Sequence, residues 1–132
     1  MMVNDPVADM FARIKNAINR RKEVIKIPGS KLKKSILELL KKEGYIADYS
    51  IEPINDYSYN FVVKLKYHKG KSVINDMIRI SKPGRRIYKP HNDIPRILSG
   101  MGLTIVSTSK GIISHKEALK NKVGGEVIGF VY

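Results

Sequence analysis

The chain has 132 residues, no cysteine, and 25 Lys and Arg against 12 Asp and Glu, a formal net charge of +13. Without cysteine there is no disulfide, thiolate nucleophile or cysteine-based zinc cluster, and at 42% hydrophobic content the composition is not that of a disordered tail. So large a positive excess costs self-repulsion that a polyanionic partner relieves; nucleic acid is the leading candidate, with an anionic membrane surface as the rival. No stretch approaches the roughly 20 consecutive apolar residues of a membrane span. Asn4, Asp5 and Asp9 are wrong for a signal peptide, so the cytoplasm is the expected compartment.

Asn4 or Asp5 is placed to cap a first helix, with Pro6 in its first turn. Val7, Met10, Phe11, Ile14 and Ile18 then recur at helical spacing. Arg13, Lys15, Asn16, Arg20 and Arg21 fall mostly elsewhere, either as a solvated face or as contacts to a polyanion. Val24 to Ile27 reads as a short strand, broken by Pro28-Gly29-Ser30. Ser30 suits the cap of a second helix, striped by Leu32, Ile36, Leu39 and Leu40 and ended by Gly44. Ser30, Lys31, Lys33 and Lys34 gather at its start. Cations there oppose the helix dipole, whereas a phosphate bound at the free N–H groups would account for them. Residues 45–53 and 60–67 read as strands around an Asn55-Asp56 turn.

A soft boundary near Gly70 divides the chain into modules of residues 1–69 and 70–132. In the second module, Val73 to Ile80 reads as a strand, Ser81 to Arg86 as a basic turn and Ile87-Tyr88 as a brief strand. Asp93 to Ser99 suits one or two helical turns, and Leu103 to Thr108 a strand. Ser114 with Glu117 forms a capping box for a short helix ending near Asn121. Gly124-Gly125 breaks it, and Glu126 to Tyr132 closes as a strand. The expected class is α+β.

Catalytic readings fail on spacing. Gly70-Lys71-Ser72 echoes the end of a phosphate-binding Walker loop, but Leu65 stands where that loop needs glycine. Gly100-Met101-Gly102 precedes a strand, whereas a dinucleotide loop follows one. His68, His91 and His115 are scattered among basic residues without the spacing of a metal pair, and read as solvated surface side chains. A Ser-His-Asp triad assembles in space rather than in sequence, yet no Gly-x-Ser-x-Gly nucleophile elbow occurs.

Ser107, Thr108, Ser109, Lys110 and Gly111 stand together where a strand should turn. The hydroxyls donate and accept, so they suit base edges, 2'-hydroxyls and phosphates. Lys110 supplies charge, and Gly111 permits a positive φ and close backbone approach. That is chemistry for holding a polyanion. Tyr88, flanked by Arg85, Arg86 and Lys89, is either a stacking platform for a base or a half-buried strand tyrosine. Gly124-Gly125 allows close backbone approach, and Glu126 either accepts from a base amino group or orients neighbouring hydroxyls.

Five blocks in order resemble bacterial ribosomal protein eight of the small subunit. They are Asn4–Met10, Ile27–Lys33, Glu43–Ile46, Arg79–Arg85, and Gly102–Gly111 followed by Gly124-Gly125-Glu126. The chain departs from that family at Tyr132, Phe11-Ala12 and Leu119, where tryptophan, Leu-Thr and arginine are usual. The resemblance implies two modules: two helices on a three-stranded sheet, then mostly antiparallel β with a short helix. It implies a structural constituent of the small ribosomal subunit, without cofactor or metal. Such a protein binds the central domain of small-subunit ribosomal RNA, directs its folding and assembly, and touches neighbouring ribosomal proteins. Repression of the operon's own messenger RNA is a further implied role. Carried over by position, the RNA contacts are Ser107, Thr108, Ser109 and Lys110, with Tyr88, Gly124, Gly125 and Glu126 completing that surface. Ser30, Lys31 and the basic residues of the first helix serve the N-terminal module. Ser109→Ala and Thr108→Ala are expected to weaken specific RNA binding more than non-specific binding.

Overall fold

The computed structural model describes residues 4–132. The chain divides into two compact units, one of Asp9–Ile74 and one that gathers the residues up to Ala8 with Asn75–Tyr132. The architecture is α+β, with antiparallel strand pairing throughout the described sheets.

The first helix, α1, runs Pro6–Asn19. Of the two candidate caps, Asp5 performs the role: its Oδ1 accepts from the Ala8 N–H at 3.1 Å. In the Asp9–Ile74 unit the chain continues through β1 (Val24–Pro28), α2 (Lys31–Lys42), β2 (Ile46–Pro53) and β3 (Tyr59–Leu65). Two short strands, β4 (Tyr67–His68) and β5 (Lys71–Ser72), pair as a hairpin. β3 lies between β1 and β2. Period-2 alternation puts Phe61, Val63 and Leu65 inside and leaves Lys64 outside. Met10, Phe11, Ile14 and Ala17 of α1 and Ile36, Leu37, Leu39 and Leu40 of α2 are buried with them. This apolar stripe holds each helix in place far more than intrinsic propensity does.

In the other unit β6 (Met77–Arg79), β7 (Tyr88–Lys89), β8 (Leu103–Thr108), β9 (Gly111–Ser114) and β10 (Gly125–Val131) form one sheet. Its order is β6-β10-β8-β9, and β7 pairs with the start of β10. α3 (His115–Asn121) follows β9 directly. Ala118 of α3 packs with Val106, Ile113, Ile94 and Val123. The capping box holds, since Ser114 Oγ accepts from the Glu117 N–H at 3.2 Å.

Two expected elements differ. Only Met77–Arg79 of the span 73–80 is strand. The N–H groups of Asn75 and Asp76 both donate to the Tyr132 carbonyl, at 2.6 and 3.0 Å, and Ile74 donates to Ser72 Oγ. Those donors are therefore turned away from any ladder. The span 93–99 is not helical through its middle. One 3₁₀ turn covers His91–Asp93 and another Leu98–Gly100. Between them Ile94 is extended, as a residue before proline prefers.

Candidate nucleic-acid interface

The loop between β8 and β9 is the two residues Ser109 and Lys110, both exposed, and it closes at Gly111 with φ 98°. A side chain at Gly111 would be strained in that left-handed region. Thr108 ties the loop together. Its hydroxyl donates to the Gly111 carbonyl at 2.9 Å and accepts from the Lys110 N–H at 3.0 Å. Ser107 and Ser109 have no hydrogen-bond partner for their hydroxyls among the described residues. Of the three hydroxyls, one therefore shapes the turn and two are open to a ligand.

Registry across the sheet sets what accompanies them. Glu126 of β10 lies directly opposite Ser107 of β8 on one side and Tyr88 of β7 on the other. Directly paired residues present their side chains on the same face, so Tyr88, Glu126 and Ser107 form a row. Tyr88 is 67% exposed, so it is not the half-buried strand tyrosine of the second reading. Gly124 and Gly125 do permit close backbone approach, and the backbone that approaches is the protein's own. A Cβ at Gly125 would overlap the Ser107 carbonyl, and one at Gly124 would sit 2.5 Å from the Lys89 carbonyl oxygen. Their lack of side chains lets β7, β10 and β8 converge.

Glu126 is bonded to one hydroxyl and one cation. Its Oε2 accepts from the Ser81 hydroxyl at 2.5 Å and from Arg86 Nη1 at 3.0 Å. Ser81 is fully buried, and its Oγ also accepts from the Ile87 N–H at 3.1 Å. This chain of bonds fastens the segment carrying Arg86, Ile87 and Tyr88 to β10. Nothing near Ser81 in the sequence signals this role. It is 45 residues from Glu126, and no local spacing reports such a bond. The turn between Ser81 and Arg86 is closed by reciprocal backbone bonds between Lys82 and Arg85, at 3.0 and 2.9 Å. Lys82, Arg85 and Lys110 form no ion pair among the described residues, so their charge is available.

Ser30 and Lys31 belong to the other unit. Ser30 caps α2, its Oγ accepting from the Lys33 N–H at 3.2 Å, and Lys31 is exposed. Lys33 differs from the expectation of a cation awaiting phosphate. It is buried, and its Nζ donates to the Pro28 carbonyl at 3.2 Å. Burial pulls its pKa below the ordinary 10.5, opposed by Asp9 and assisted by Arg13. A groove of about 430 Å³ in the same unit is lined by Arg13, Asn16, Arg20, Lys22 and Lys26 among others.

The histidines are not all solvated. His115 is 4% exposed, and its Nδ1 accepts from the Thr104 N–H at 3.1 Å, a bond that joins α3 to β8. Among the described residues, no three His, Asp or Glu side chains are grouped to hold a metal ion, and no helix is long and apolar enough to cross a membrane.

Comparison with known proteins gives a consistent result. The family model for ribosomal protein S8 matches residues 5–132. The chain is 48% identical to the small ribosomal subunit protein uS8 of Buchnera aphidicola subsp. Acyrthosiphon pisum over 131 residues, 99% of both chains. It is 46% identical to that of Rhodospirillum centenum over 132 residues and 48% identical to that of Caldicellulosiruptor bescii over 134, covering the whole of each chain. Likeness of this extent, running through both units, makes the chain a member of the ribosomal protein S8 family.

Proposed function

We propose that the chain is a structural constituent of the small ribosomal subunit in the cytoplasm, rather than an enzyme, and that it binds small-subunit ribosomal RNA directly. The carrying observation is the hairpin end of the second unit's sheet. There Ser107, Ser109 and Tyr88 are open, while Thr108, Glu126 and Ser81 are occupied in holding them. A-form RNA hides its base edges in a deep groove, so a protein reads its minor groove, 2'-hydroxyls and bulged bases. Two serine hydroxyls suit a 2'-hydroxyl or a base edge, and Tyr88 offers a face for an unstacked base. Lys110, Arg85 and Lys82 add charge, and Ser30 with Lys31 make a second contact from the other unit.

By this reading the chain binds the central domain of the RNA, fixes its fold and directs assembly. A messenger segment of the same shape would occupy the same surface, which is the basis for repression of its own operon. Gel-shift titration against a small-subunit central-domain fragment and against an unrelated RNA duplex tests the proposal. The fragment should bind at least about 10³-fold more tightly at matched salt, the low end of specific recognition measured for DNA-binding proteins. Equal affinity for both would contradict it.

A further inference from the structure

The loop before β8 and one side of α3 display apolar side chains that the unit leaves open. Met101 is 81% exposed, Leu98 59% and Leu119 47%. Met101 and Leu119 line a groove of about 240 Å³, whose other walls include Arg96, Ser99, Gly100 and Lys116. The loop holds this display in an unfavourable backbone. Leu98 and Ser99 have φ of 49° and 55°, and Gly100 follows at 86°. A branched side chain such as leucine rarely adopts the left-handed region. The turn is closed by its own backbone bonds, from the Gly100 N–H to the Ile97 carbonyl at 2.9 Å and from the Met101 N–H to the Leu98 carbonyl at 3.0 Å, yet the side chains it presents are not buried within the unit. A folded protein in isolation rarely groups strained backbone with exposed leucine and methionine, and such patches mark sites of association.

The occupant follows from the chemistry of the groove. Leucine and methionine offer no hydrogen bonds to bases, and the hydroxyls, aromatic ring and cations suited to RNA lie at the hairpin end described above. Arg96 and Lys116 on the walls form no ion pair among the described residues. An apolar floor between unpaired cations complements an apolar side chain flanked by carboxylates. We infer that the groove between Met101 and Leu119 is a protein-docking site, and that it takes a segment of a neighbouring protein with an apolar residue between Asp or Glu residues. The inference rests on the reading above that the chain works inside an assembled subunit.

The absence of cysteine makes the test direct. Met101→Cys provides a unique thiol for a benzophenone-maleimide probe, and Leu119→Cys provides a second in case the first variant folds poorly. Each labelled protein is first titrated against the central-domain RNA fragment, then irradiated in assembled small subunits, and its crosslinks are identified by mass spectrometry. RNA affinity should stay within about twofold of the unlabelled chain, and the crosslink should fall on a protein peptide holding an apolar residue flanked by carboxylates. The paired variant Arg96→Glu with Lys116→Glu should cut the crosslink yield at least tenfold. A crosslink to RNA, a basic peptide at the crosslink, or no crosslink in subunits that have incorporated the protein would overturn the docking site while leaving RNA binding intact. Failure of the unlabelled chain to bind the fragment would instead remove the RNA-binding reading, and the docking site with it.

Discussion

Thr108 and Ser109 are adjacent hydroxyl residues, and their surroundings give them different consequences on substitution. Thr108 spends its hydroxyl on two bonds inside the turn. Thr108→Val should lower stability by about 1 kcal/mol, with a loss of RNA affinity that follows from the loosened turn; a thermal melt that stays in place would contradict this. Ser109 has no such duty, so its removal should leave the melt unchanged. Ser81 is more critical for the fold than either. Ser81→Ala leaves the partly buried Ile87 N–H and part of Glu126 without the fully buried Ser81 hydroxyl as partner, at a cost of about 1 kcal/mol or more, which a denaturant titration would register. Gly125→Ala puts a methyl group into the Ser107 carbonyl. The carbonyl is backbone and the methyl is fixed directly on Cα, so neither can rotate aside. Overpacking of this kind costs about 1–3 kcal/mol or more and should shift the melting temperature down by several degrees, roughly 4 °C per kcal/mol.

At the scale of elements, the legible parts were those with local causes. The β8 strand, the Ser30 and Ser114 caps and the end of α3 were each set by residues within a few positions of one another. The hydroxyl turn was legible for the same reason. The two bonds of Glu126 were not legible, because its partners Ser81 and Arg86 are 45 and 40 residues away. The strand expected over 73–80 shortened because a carbonyl at the far end of the chain captured its donors. His115 read as a surface residue because its polarity was visible and its bond to Thr104 was not. The start of α2 yields a pH prediction. The lowered pKa of Lys33 means that, between its native value and the unfolded 10.5, the unfolded chain binds more protons. Stability therefore gains from this group as pH rises through that window, and Lys33 is a burden below it. Lys33→Met should look most favourable relative to the parent near neutral pH and lose ground towards pH 10.5. A difference in unfolding free energy that stays flat over that range would refute the assignment.

At the scale of the whole molecule, the charge of +13 and the open hydroxyls of Ser107 and Ser109 contribute different things. On the proposed reading the cations act on any phosphate backbone and supply grip that salt removes. A surface touching roughly 6–10 phosphates should lose about 10³-fold or more in affinity between roughly 50 and 200 mM salt. The serines carry no charge, so their share of the binding should persist across that range. The most direct measurement is the ratio of affinities for the central-domain fragment and for an unrelated duplex, compared between the parent chain and the double variant Ser107→Ala with Ser109→Ala. Two lost hydrogen bonds at about 1 kcal/mol each should lower the ratio roughly 30-fold, with the melt and the salt slope unchanged. An unaltered ratio, or an equal loss on both RNAs, would contradict the account.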